Sequence, residues 1–210
     1  MPRYFKLLII LIAFASLPCR AEEISPAGRS LAQKLDAMDV EHLWLPGTSV
    51  NWKTGEPLAG SKPSKGQHTH CSAFAAEACR RLGIYLLRPP EHPQMLLANA
   101  QYDWLFKSGK EQGWTQLRDG HRAQHFANEG YLVVAVYKES DPKRHGHIAI
   151  VRPSTKSSEQ IDAEGPQVTQ AGGHNARSTS LKHGFGNHPD AFGKQKVRYF
   201  AHKVETGTTK

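Results

Sequence analysis

Cysteine is scarce in this chain, three residues in 210, and no apolar run reaches the roughly 20 residues that a bilayer-spanning helix needs. The first scarcity leaves little room for a disulfide framework, and the second argues against a stable span. No internal repeat and no low-complexity domain interrupts the sequence, only a short polar tail after Val204. Nor is there an aromatic-basic stripe or a nucleic-acid-binding motif, so the basic balance of +8 does not by itself argue for nucleic acid.

The N-terminus accounts for part of that charge. Arg3 and Lys6 precede the apolar run from Leu7 to Ala15, and a short polar stretch ends in Ala21. This pattern predicts a secretory signal peptide over residues 1–21, cut after Ala21, and hence a periplasmic or extracellular protein with no membrane insertion after cleavage. Pro18 before Cys19 makes a poor lipoprotein signal. Cleavage removes Arg3, Lys6 and Arg20 and no acid, which leaves 24 basic against 19 acidic residues, a net +5. That suffices for attraction to an anionic polymer such as cell wall, lipid headgroups or nucleic acid. The remaining 189 residues can build one domain with its own core.

Within it, residues 22–45 read as an N-terminal helical segment, with Leu31, Leu35 and Met38 at helical spacing after Ser25-Pro26. Residues 46–69 are rich in Gly, Pro, Ser and Lys and read as a long loop shaping the entrance to a site. Further helices are expected over 71–82, closed by Gly83, over 94–106, and near 122–128, ended by Gly130. Strands are expected over 131–137, 147–152, 167–171 and 196–204, with loops over 138–146 and 154–166. Helices first and an antiparallel sheet second make residues 46–204 one α+β domain, with 205–210 as tail.

Two mature cysteines remain, eight residues apart on one predicted helix, about 12 Å along its axis and too far for a bridge. Cys79 reads as a small buried hydrophobe. Cys71 opens the helix, where exposed N–H groups and a neighbouring imidazolium would both lower a thiol pKa. His147, between Gly146 and the apolar run Ile148 to Val151, is the candidate imidazole. Gln170 on the next strand is the candidate to orient the ring, with Asn175, His174 and Asp162 as rivals. Against this, a cysteine on an apolar helix face is most often core, and a histidine after a Lys/Arg loop most often lies at the surface. The Gly-His strand and the export signal tip the balance toward chemistry.

Cys71-Ser72-Ala73-Phe74, then Arg80-Arg81-Leu82-Gly83-Ile84, resembles the nucleophile helix of NlpC-type cell-wall cysteine peptidases, and Gly146-His147 with Ile148 to Val151 resembles that family's Gly-His strand. Val168-Thr169-Gln170-Ala171 is similar to its next strand, and the related CHAP amidohydrolase group fits almost as well. The chain departs from the pattern in having His70 where the family has an acid, Ala73 where it has glycine, Gln170 where it usually has histidine, and a long loop between His147 and Gln170. The resemblance, over about residues 68–172, implies a papain-like fold with the nucleophile helix packed on an antiparallel sheet. It implies Cys71 as nucleophile, His147 as general base and acid and Gln170 as the orienting residue, with no cofactor and with peptidoglycan as substrate; no metal ligand is assigned, because the spacing His-x-His-Cys matches no closed structural site. It leaves open which amide bond is cut, and whether an inhibitor or immunity partner exists.

Other readings compete. The same scaffold can host acyl transfer or lipid hydrolysis, or keep its shape as a wall-binding protein. His68, His70, Cys71, His145 and His147 are residue types that zinc accepts. Trp44, Trp52, Trp104 and Trp114 could line a sugar groove, although tryptophan is more often core.

Overall fold

An unbroken apolar run makes a stable strand when both of its faces are covered. Leu132–Tyr137 meets that condition in the computed structural model, which describes residues 23–62 and 69–205. Leu132, Val134 and Val136 enter one apolar cluster with Phe74, Ala75, Ala78 and Cys79. Val133, Ala135 and Tyr137 enter a second with Ala123, Ala127, Leu181 and Phe185. The strand period of two thus splits the core into layers on opposite faces of one sheet.

The sheet contains β1 (Thr115–Leu117), β2 (Leu132–Tyr137), β3 (His147–Val151), β4 (Gln167–Gln170), β5 (Ala176–Ser180) and β6 (Arg198–His202), in the order β1-β6-β2-β3-β4-β5. Every neighbouring pair is antiparallel. The helices are α1 (Pro26–Asp36), α2 (Cys71–Arg81), α3 (Leu97–Lys107), α4 (Gly120–Asn128), α5 (Ser158–Glu164), α6 (Leu181–Gly184) and α7 (Pro189–Gly193). Helices α2 and α3 cover one face, while α4, α6 and α7 supply the other layer. The protein is α+β, with the Cys71 helix packed on an antiparallel sheet as expected, an arrangement compatible with a papain-like fold.

The N-terminal helix belongs to the body. Ser25 caps α1 and also donates from its N–H and its hydroxyl to the Asn128 carbonyl. Leu31 and Leu35 bury in the first core layer, and Asp36 makes a two-pronged contact with Arg152 just beyond β3, at 2.6 and 3.0 Å.

Several elements differ from the sequence reading. Helix α3 starts at Leu97 instead of residue 94, because Leu96 adopts a left-handed backbone, φ 54°, that cannot continue a right-handed helix. Residues 154–166 are not all loop: α5 forms there, nucleated by a reciprocal capping box between Ser157 and Gln160. Strands β1 and β5 and the short helices α6 and α7 were not anticipated. Met38 lies beyond α1 yet is buried. The signal-peptide reading, most of the tail and residues 63–68, including His68, fall outside the described residues. Among the described residues no helix is long and apolar enough to cross a membrane.

Candidate active site

Helix α2 is a run of small side chains that lets it lie close on the sheet, and it is anchored at both ends. At its start the His70 carbonyl accepts the Phe74 N–H at 2.9 Å, and the His70 ring Nε2 bonds the Thr48 carbonyl at 2.7 Å, tying the 46–69 segment to the helix. From α3, the fully buried Gln101 donates to the carbonyls of Ser72 and Leu87. Phe74 meets the edge of Trp44 at 5.5 Å. At the far end Arg80 and Arg81 both clasp the buried Glu77 carboxylate and hold it below the usual carboxylate range against the effect of burial. Gly83, at φ +73°, then ends the helix.

His147 is set by a close approach. A Cβ on Gly146 would run into the Tyr137 carbonyl and the Asn99 side-chain oxygen, so only glycine lets the strand enter the sheet here. Asn99 stitches the incoming loop, donating to the Arg144 carbonyl at 2.9 Å and accepting the Glu139 N–H at 3.3 Å. His147 then pairs with Tyr137 across β2 and β3. The N–H of the next residue, Ile148, is directed at the Cys71 sulfur, as are the N–H groups of Cys71 and Ser72. The start of α2 and the start of β3 therefore meet at the thiol.

Gln170, the last residue of β4, completes the arrangement. Its amide nitrogen donates to the His174 carbonyl at 3.0 Å, which turns its oxygen toward His147 Nε2 at 2.6 Å. Because that oxygen can only accept, Nε2 carries the hydrogen and Nδ1 keeps the lone pair. A Cβ on Gly184 would lie 2.8 Å from the same oxygen, so glycine there leaves room for the contact.

Burial governs the charges. Cys71 is 4% exposed and His147 5%. Burial pushes the Cys71 thiol up, against the N–H groups that favour its anion, contrary to the lowering expected from its place at a helix start. Burial also pulls the His147 imidazole down to about 4, with the Gln170 contact opposing. The resting pair is therefore neutral thiol and neutral imidazole. Cys79 is likewise buried and raised, and both cysteines are free.

The rivals of Gln170 have other partners. Asn175 donates to the carbonyls of Val40, Leu43 and Trp44 and accepts the Gly172 N–H. Asp162 pairs with His121 at 2.7 Å. His174 presents its carbonyl to Gln170. Among the described residues no group of three or more His, Cys, Asp or Glu side chains is gathered to hold a metal ion.

Two clefts open at these residues, one at Cys71 and one at His147. One, of about 430 Å³, is lined by Cys71, His70, Ser49, Val50 and Met95. The other, of about 870 Å³, is lined by His147, Gln170, His174, Lys182 and His188. Thr69, the last residue of the 46–69 segment, borders both. No tryptophan lines either cleft, which removes the sugar-groove reading there. Trp44 and Trp114 are core, each with its ring N–H on a backbone carbonyl. His188 was missed in the sequence because it lies between short polar helices with no periodic pattern to mark it.

No protein-family model matches the chain. Over 94 residues it is 35% identical to a protein of Pseudomonas aeruginosa, a stretch that takes in 45% of this chain and 49% of the other. That relative is the peptidoglycan amidase Tse1. The chain thus spans about half the length of the protein it matches. Neither comparison carries the finer resemblance to the NlpC and CHAP groups.

Proposed function

We propose that this protein hydrolyses an amide bond of peptidoglycan, with Cys71 as nucleophile, His147 as general base and then acid, and Gln170 as the residue that orients the imidazole. The observation that carries the reading is the 2.6 Å contact between His147 Nε2 and Gln170 Oε1, next to a thiol that faces the Ile148 N–H. That contact commits one ring nitrogen and leaves the other, Nδ1, as the proton acceptor. The partial likeness to a peptidoglycan amidase supports the substrate class.

Because the resting pair is neutral, the thiol proton passes to His147 Nδ1 as the sulfur attacks the carbonyl carbon, and the charge moves onto the carbonyl oxygen. N–H groups at the start of α2, without partners inside the helix, stabilise that oxyanion. His147 then returns its proton to the leaving amine, an acyl-thioester remains on Cys71, and water activated by the same imidazole releases it. A cleft at Cys71 and another at His147, both bordered by Thr69, would suit a substrate that extends in both directions from the scissile bond. The export read from residues 1–21 would bring the enzyme to its polymer.

The deciding experiment is digestion of purified peptidoglycan by the wild type and by Cys71→Ala, with soluble products identified by mass spectrometry. Fragments released by the wild type and absent with the variant are expected, and their masses name the bond. Equal release by both proteins would refute the nucleophile assignment.

A further inference from the structure

A second histidine stands beside the proposed catalytic pair and has no part in the steps above. His188 stacks on the His147 ring, centroids 5.7 Å and planes 20° apart, and also packs against Tyr137 at 5.5 Å. Its side chain is 16% exposed, and its Nδ1 is buried with no hydrogen-bond partner. The Glu139 carboxylate lies 3.9 Å from that nitrogen. Glu139 is itself nearly buried, held by the Tyr137 hydroxyl and by the N–H and hydroxyl of Ser140. Carboxylate, imidazole and imidazole thus form a row that ends on the face of His147.

We propose that His188 is a positioning residue for His147, a stacked imidazole that holds the His147 ring in place and whose protonation in acid opposes transfer of the Cys71 proton to His147. The inference rests on the proposed role of His147 as base.

The His147 ring is held at Nε2 by Gln170 and at one edge by Phe185, 4.6 Å away and at 80°. Those contacts still let the ring tip about the Gln170 bond, and the face of His188 closes that freedom. Phenylalanine could do as much, so the distinguishing property of His188 is that it titrates. Two imidazolium rings 5.7 Å apart disfavour one another by about two orders of magnitude in a protonation equilibrium at an effective dielectric of about 20. The two rings therefore titrate as a coupled pair. While His188 is neutral, His147 can become the cation that attack on substrate requires, and a proton on His188 opposes it.

The groups facing His188 set its state. Glu139 favours its cation, whereas burial, His147, Arg144 and His145 oppose it, and Tyr137 on β2 adds a hydroxyl engaged by Glu139. The balance brings His188 down to about 4, leaving it neutral at neutral pH.

The test is the pH dependence of Cys71 alkylation by iodoacetamide, read on the Cys71 peptide by mass spectrometry, which needs no substrate. Proteins compared are the wild type, His147→Ala, His188→Phe, His188→Gln and Glu139→Gln, with folding checked by circular dichroism. The wild-type rate should fall on acidification over two protonation steps. His188→Phe keeps an aromatic stack and should leave one step. His188→Gln should also leave one, with a several-fold lower rate at every pH because the stack is gone. Glu139→Gln leaves both rings in place and should move the more acidic step to lower pH, which decides the matter even if neither His188 variant folds. A single step in the wild type, or two unchanged steps in the folded variants, overturns the role of His188 and leaves the Cys71–His147 pair standing. A rate that His147→Ala does not alter overturns the pair, and the inference with it.

Discussion

Replacing Gln170 by glutamate keeps the shape of the group that holds His147 and adds a full negative charge. The present contact is 2.6 Å from Nε2 to Oε1, so the carboxylate would lie about 4 Å from the centre of an imidazolium charge. At an effective dielectric of about 20 that attraction is about 4 kcal/mol, or about three pKa units. Desolvation of the new carboxylate takes back part of it, so a net rise of about one to two units is expected for His147, from about 4. The proposed reaction needs neutral His147, so raising its pKa should move the acid limb of activity upward, into the range of about 5 to 6. A second effect has the opposite value for the protein: the amide donor to the His174 carbonyl is lost, and two acceptors face one another, at a stability cost of about 1–3 kcal/mol. Peptidoglycan fragment release and Cys71 alkylation, each followed against pH, together with a thermal melt, measure both effects. Gln170→Ala serves as the contrast, with a rate lower by about 10- to 100-fold and no comparable upward shift. A folded Gln170→Glu protein whose acid limb stays where the wild type has it would refute the proposed role of Gln170 as the partner of the His147 imidazole.

Other consequences are as direct. Gly146→Ala should lower stability by about 1–3 kcal/mol and displace His147, because the new methyl meets the Tyr137 carbonyl and the Asn99 oxygen; an unchanged melting temperature with full activity would count against the close approach. Asn175→Ala removes the donor to three carbonyls of the 40–44 segment, and on the order of 2–4 kcal/mol should disappear in urea denaturation, with thiol reactivity of the residual folded protein kept if Asn175 serves structure alone. His147 takes its proton near 6.5 when unfolded and near 4 when folded, so its contribution to stability is complete above about pH 6.5 and is lost as pH falls toward 4, by at most about 3 kcal/mol. Denaturation midpoints that fall on acidification in the wild type and fall less in His147→Phe would bear this out.

Elements with a local signature were legible. Helix α2 could be read from its run of small residues and its glycine stop, and β2 from six consecutive strand-forming residues that no exposed segment would carry. Gly146 before His147 marked the head of β3. What escaped notice had little apolar content to read. Strand β5, Ala176–Ser180, is an edge strand with a polar, half-exposed sequence, and its place comes from pairing with β4. Helices α6 and α7 have four and five residues, too short for a helical period to emerge. Helix α5 did carry a signal, the Ser157 and Gln160 capping box, but with Ile161 as its buried residue. Of the candidate site, Cys71, His147 and Gln170 are residues the sequence offers, whereas nothing in the sequence marks His188.

The sequence alone determined the secondary structure that carries the proposed catalytic residues, because helix and strand periods and glycine positions act over a few neighbours. It also determined which residue types were available to react. Only the tertiary structure decided that the head of α2 meets the head of β3, that the Gln170 amide is turned by the His174 carbonyl, and that a second imidazole lies on the first. It decided the charges as well. A helix start argued for a lowered thiol, and packing between two clefts raised it, because desolvation depends on every segment that surrounds a group and no local pattern encodes that sum.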